Sequence, residues 1–237
     1  MKHHTIFRVK LILLLSCICI FSCSSDDAVE VTPKSYRILS LGDSYTIGQS
    51  VCETCRFPVQ LKDSLVANFP AVDNFSVKII AETGWTTTNL INAITEDDNL
   101  TNTYDLVTLL IGVNNQYQNK PFSLYESEFP ELAMKAVSLA KGDASNVIVV
   151  SIPDYAFTPF GQGFGFSPTT SEEIDQYNTF ARSYCNANGI TFVNITDITR
   201  EGLTNPALVA QDQLHPSELA YSLFVERLLP FATEKIQ

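Results

Sequence analysis

From Tyr36 onward, short apolar runs alternate with stretches whose apolar residues recur at helical spacing. No other feature of the chain limits its fold as much. A strand, a helix and a second strand in succession make the two strands parallel, because the helix carries the chain back to the end of the sheet where it began. Five runs read as strands, over residues 36–41, 76–81, 106–111, 147–151 and 190–193. The third is nearly all apolar, as a strand covered on both faces has to be. Helical patterns occupy residues 57–68, 87–94, 128–141, 171–188 and 216–231. Ser171, followed by Glu172 and Glu173, reads as a capped helix start. Asn188-Gly189 reads as a stop, and Pro216 suits the first turn of the last helix. The expectation is an α/β fold with a parallel five-stranded sheet and helices on both faces.

The chain before residue 36 follows a different pattern. Lys2, Arg8 and Lys10 make a basic start and residues 11–21 are apolar. That combination reads as an export signal, too short for a comfortable transmembrane span. Ile20-Phe21-Ser22-Cys23 resembles a bacterial lipobox, in which the cysteine is lipidated and becomes the mature N-terminus. Leu14-Leu15-Ser16-Cys17 also fits, but apolar residues continue past Cys17 and stop after Cys23, which favours Cys23. An ordinary cleaved signal is the alternative. Ser24-Ser25-Asp26-Asp27 is similar to the acidic tether of surface-exported lipoproteins in some Gram-negative bacteria, and Thr32-Pro33 keeps the tether extended. The expected organisation is a signal over residues 1–22, a tether over 23–35 and a folded domain over 36–237. The protein is then an exported lipoprotein, held to the outer membrane or cell surface through lipid on Cys23. Removing residues 1–22 takes away three basic residues and no acidic ones, which moves the formal net charge from −11 to −14. So acidic a chain is a poor partner for nucleic acid or anionic headgroups. Neutral polysaccharides and small esters stay open.

Three cysteines lie in the folded part, Cys52, Cys55 and Cys185. Export permits disulfides. Cys52 and Cys55 can close a local bridge, one of them can reach Cys185, or the thiols stay free. A structural zinc site normally needs four ligands, and no second cysteine pair or histidine cluster supplies them.

Chemistry concentrates at strand ends. Ile38-Leu39-Ser40-Leu41-Gly42-Asp43-Ser44 places Ser44 just past the first strand, where open α/β sheets handle ligands. A serine hydroxyl is inert without a base and a site for the oxyanion. Gly84 follows the second strand and Asn114 the third. Asp212-Gln213-Leu214-His215 precedes the last helix, and His215 is the only histidine outside the signal. Each feature alone is commonplace: Asp-Ser pairs, turn glycines and Asn-Asn turns usually serve structure.

Taken together in this order, the four stretches resemble the SGNH, or GDSL, hydrolase family, whose hallmarks are Ser, Gly, Asn and His in separate blocks. The resemblance covers nearly the whole chain from Tyr36. It implies a three-layer α/β/α sandwich with a flavodoxin-like sheet, and it needs neither cofactor nor metal. It implies Ser44 as nucleophile, His215 as base and Asp212 as the group orienting it. The oxyanion donors are then the Ser44 and Gly84 amides and the Asn114 side chain. Asn115 stands where the family often has Asp, which leaves open what local contact it makes. The Gly-x-Ser-x-Gly elbow of ordinary α/β-hydrolases is absent.

The activity implied is serine-dependent hydrolysis of carboxylic esters outside the cytoplasm. Short acyl groups on carbohydrate are one substrate class, and lipase- or lysophospholipase-type esters are the alternative. A non-catalytic surface module binding glycan or protein is a third reading, against which the joint presence of Ser44, Asp212 and His215 speaks. Residues 154–167 carry Tyr155, Phe157, Phe160, Phe164 and Phe166 among glycines and prolines. This stretch reads either as a substrate-selecting lid or as a loop packed on the core. Trp85, the only tryptophan, either walls the site or packs.

Overall fold

The structure, a computed structural model, describes residues 32–165 and 168–236. Residues from Thr32 onward form one compact unit. The signal, Cys23 and most of the tether lie outside the described residues.

In chain order the elements are β1 (Ser35–Gly42), α1 (Ser44–Ile47), α2 (Phe57–Asn68), β2 (Asn74–Ala81), α3 (Thr87–Glu96), β3 (Leu106–Leu110) and α4 (Val113–Tyr117). They continue with α5 (Phe122–Leu139), β4 (Val147–Val150), α6 (Pro159–Gly163), α7 (Pro168–Ala187), β5 (Thr191–Val193), α8 (Thr196–Thr199) and α9 (Glu218–Ile236). The five strands form one sheet in the order β2-β1-β3-β4-β5, and every pairing is parallel. This is the α/β sandwich expected from the alternating pattern. Helix α2 packs on α9, while α3 packs on α5 and α5 on α7. The chain goes from β1 outward to β2, then returns past β1 to β3. That reversal opens a crevice between the carboxyl ends of β1 and β3, the usual ligand position in such sheets.

All of β3 and β4 is buried. Leu39, Leu41, Leu106 and Leu109 are fully covered. Each such side chain contributes about 1.5–3 kcal/mol by leaving water. The sheet is therefore a rigid base for whatever its strand ends carry.

Several helix limits differ from the sequence reading. Helix α5 starts at Phe122 rather than Glu128 and runs through Pro130. A proline inside a helix removes one backbone bond. Tyr125 and Phe129 offset that loss by packing in an aromatic group with Tyr177 and Phe180 of α7, with Tyr125 and Tyr177 ring centroids 4.5 Å apart. Helix α7 is already under way at Pro168, so Ser171 is not its cap. Helix α9 begins at Glu218, with the Ser217 hydroxyl accepting from Ala220 N, and Pro216 lies ahead of its first turn. It passes Pro230 and ends at Ile236, which is buried. Among the described residues no helix is long and apolar enough to cross a membrane.

Candidate active site

The end of β1 sets the site. A side chain at Gly42 would put its Cβ 2.4 Å from Leu110 O and 2.1 Å from Thr46 Oγ1, so only glycine lets β1, β3 and α1 approach this closely. Asp43 caps α1 by accepting from Tyr45 N at 3.0 Å, which turns Ser44 out of the strand and into the first helical position. Ser44 is 4% exposed. Asp43 is fully covered, and burial pushes its carboxyl up to about 7, although the Tyr45 N–H and the Asn114 amide pull the other way.

Two further turns bring the other donors to the same crevice. Gly84 follows β2 with φ +86°, a conformation that side chains disfavour, and the space beside it is open. Its carbonyl accepts from Gln118 Nε2 at 2.9 Å. Gly112, with φ +127°, starts α4, and Asn114 is the second residue of that helix. The Asn114 amide donates to Trp85 O at 3.1 Å and reaches Asp43 Oδ2 at 3.4 Å. An amide nitrogen carries two N–H groups, and the longer contact is the one a bound anion can displace. Trp85 packs against the core and contributes its carbonyl here, rather than a wall.

Asp212 and His215 come from a closed loop. Val209 and Pro216 form an antiparallel bridge, Ala210 N donates to His215 O at 2.7 Å, and Gln213 takes φ +65° at the tip. The loop folds Asp212 back on its own backbone: Oδ1 accepts from Leu214 N and His215 N, both at 3.0 Å. Oδ2 lies 2.6 Å from His215 Nδ1. Because a carboxylate only accepts, Nδ1 carries the proton, and Nε2 is left as the basic nitrogen. Burial alone would raise the Asp212 carboxyl. The Ser50 hydroxyl, the His215 ring and the two backbone N–H groups reverse that and hold it at about 2.

Ser44, Gly84, Asn114 and His215 line a single cavity of about 200 Å³ together with Tyr117 and Tyr155. His215 is 7% exposed, and its ring packs beside Tyr45 with centroids 5.1 Å apart. The structure thus brings Ser44, Gly84, Asn114 and His215 to one cavity, with Asp212 behind the His215 ring. No hydrogen bond joins Ser44 to His215 among the described residues, as is common before substrate tightens such a site.

Sequence reasoning missed Ser50. Its hydroxyl donates to Asp212 Oδ2 at 2.6 Å across 162 positions of sequence. An exposed serine in a loop gives no sequence signal of that role. Asn115 is buried and binds the start of α3, accepting from Thr87 N at 2.9 Å and donating to Thr87 Oγ1 at 2.6 Å. Of the aromatic stretch after β4, only Tyr155 lines the cavity among the described residues, while Phe160 and Phe164 pair with each other. Cys52 and Cys55 form a disulfide, and Cys185 is free and buried. Among the described residues no group of three or more His, Cys, Asp or Glu stands close enough to hold a metal ion.

Residues 40–223 match the family model described as GDSL-like Lipase/Acylhydrolase. No curated protein matches the chain by sequence. Among solved structures, the acetylxylan esterase Axe2 from Geobacillus stearothermophilus is 21% identical, with a TM-score of 0.63 over 84% of this chain and 95% of its own. The structure of TesA is 14% identical, with a TM-score of 0.65 over 84% and 99%. A lipase/acylhydrolase from Enterococcus faecalis is 17% identical, with a TM-score of 0.65 over 85% and 97%. At these identities the likenesses carry the fold.

Proposed function

The chain belongs to the GDSL-like lipase/acylhydrolase family of hydrolases, and on that footing we propose that it is a serine-dependent carboxylic ester hydrolase working through an acyl-enzyme. One observation carries the reading: Ser44, Gly84, Asn114 and His215 share one cavity, with Asp212 on the far nitrogen of the imidazole. Ser44 Oγ attacks the ester carbonyl while His215 Nε2 takes its proton. The Ser44 and Gly84 N–H groups and the Asn114 amide hold the negative oxygen of the tetrahedral intermediate. Asp212 stabilises the imidazolium that forms. His215 then protonates the leaving alcohol, and water, deprotonated by the same nitrogen, releases the acid.

The substrate class is a short acyl ester on carbohydrate. Tyr117, 44% exposed, offers a flat ring and a hydroxyl beside the cavity, a surface that suits a sugar ring. The fold neighbour Axe2 is an acetylxylan esterase. A longer acyl chain is the second reading, favoured by Val113 and Leu214 in the cavity wall. The protein works outside the cytoplasm, lipidated at Cys23 after removal of residues 1–22. The Cys52–Cys55 bridge is in keeping with an oxidising compartment, and palmitate labelling lost in Cys23→Ala tests the anchor.

The test of activity is hydrolysis of p-nitrophenyl acetate, butyrate and octanoate beside acetylated xylan, with Ser44→Ala as control. Acetate released from xylan only by the unaltered protein supports the carbohydrate esterase. Preference for octanoate moves the assignment to the longer-chain reading. Turnover equal in both proteins would remove Ser44 from the reaction.

A further inference from the structure

The Asp212 carboxylate is held from two directions. Its own loop supplies two backbone N–H groups, both on Oδ1. The loop after α1 supplies the Ser50 hydroxyl, on the same Oδ2 that faces the His215 ring. A carboxylate has about four lone-pair positions, and here all four have partners. Without Ser50, Oδ2 would be held only by the imidazole that it has to aim, and the plane of the group could rock with the ring. The Ser50 bond removes that freedom.

The loop around Ser50 is built to present it. Gly48 closes α1 with φ +75°, and Val51 N donates back to Gly48 O at 3.3 Å. Ser50 takes φ +68°, a left-handed conformation that costs a serine free energy and persists where the surroundings fix it. The Cys52–Cys55 bridge follows within two residues. Residues of both loops, Ser50 and Cys52 on one side and Val209 and Ala210 on the other, line a shared surface depression, so the two loops lie against each other.

We propose that Ser50 is a positioning residue for ester hydrolysis, which sets the plane of the Asp212 carboxylate and through it the direction of His215 Nε2. The role rests on the serine-hydrolase reading above. Ser50 touches no reacting atom. It acts when charge builds on the imidazole, so its loss lowers kcat and leaves KM nearly unchanged.

Two variants test this with p-nitrophenyl acetate. Ser50→Gly keeps the left-handed backbone and removes the CH2OH side chain, its donor with it. Ser50→Asn tolerates the same backbone and carries an N–H donor. S50G loses a charge-assisted hydrogen bond and sheds the left-handed strain, so it is expected to melt within a few degrees of the unaltered protein and to lose about 10-fold in kcat. S50N is expected to recover most of that loss. A kcat for S50G within about twofold of normal, a change confined to KM, or an S50N as slow as S50G would each overturn the role. Normal S50G beside inactive Ser44→Ala would overturn Ser50 alone. Equal turnover by the unaltered protein and Ser44→Ala would overturn the hydrolase reading and Ser50 with it.

Discussion

Replacing Asn115 by Asp changes one atom type and restores the residue that the family often has there, yet the structure predicts a pH-dependent loss of stability. Asn115 is fully buried. Its Oδ1 accepts from Thr87 N, and its Nδ2 donates to Thr87 Oγ1 at 2.6 Å. Thr87 Oγ1 has a single proton and gives it to Glu128 Oε2. The partner of Thr87 at position 115 must therefore donate, and a carboxylate cannot. Aspartate fits only by keeping its own proton. Holding an aspartic acid neutral near about pH 7, about three units above its ordinary value of about 3.9, costs roughly 4 kcal/mol. Near about pH 5 the same requirement costs roughly 1.5 kcal/mol. Staying ionised, buried and facing a hydroxyl oxygen with no proton to offer costs as much or more. The sign follows from linkage: the folded-state pKa of the introduced carboxyl is raised, so its penalty is absent below about 3.9 and grows as pH rises. Urea unfolding of Asn115→Asp and the unaltered protein at the two pH values measures the gap directly, and shared pH effects cancel. The gap should widen by roughly 2–3 kcal/mol from the lower pH to the higher. A gap that is equal at both pH values and below about 1 kcal/mol would refute the assigned donor pattern.

Asn114→Ala should lower kcat about 10²–10³-fold with an unchanged melting transition, and near-normal turnover would remove Asn114 from the oxyanion site. Asp43, held at about 7 by burial, makes the folded state favour the protonated form. Its contribution is fully favourable below the ordinary aspartate value and is lost as pH rises through about 7. Urea unfolding of the unaltered protein should therefore lose more stability between about pH 5 and pH 8 than Asp43→Asn, which keeps an acceptor for Tyr45 N. Parallel losses would show that Asp43 is ionised throughout.

The parts of the fold that depend on burial were legible in the sequence. Residues 106–111 read as a strand because both faces of β3 are covered, and the structure covers all of Leu106–Leu110. Helix limits at prolines were not legible. The sequence reading starts this helix at Glu128, two residues before Pro130, and only the packing of Tyr125 and Phe129 against α7, a long-range contact, carries the helix through the proline from Phe122. The site divides the same way. Ser44, Gly84 and Asn114 each follow a strand, and the order β2-β1-β3 puts those three strand ends side by side. Asp212 and His215 are near neighbours in sequence, and the loop 209–216 needs only local bonds to align them. Ser50 was invisible because its partner lies 162 positions away and its useful property is an unusual backbone angle. Asn115 showed as a departure from a pattern, but its meaning depends on Thr87 and Glu128, which no spacing connects to it.

In the proposed mechanism His215, aligned by Asp212, activates Ser44. A serine-reactive phosphonate, followed by peptide mass spectrometry, tests it most directly, because the reagent bonds only to an activated hydroxyl. One phosphonate is expected on the peptide containing Ser44 in the unaltered protein, with labelling at least about 100-fold slower in His215→Gln. Absence of the label from Ser44 in folded protein, or equal labelling in His215→Gln, would contradict it.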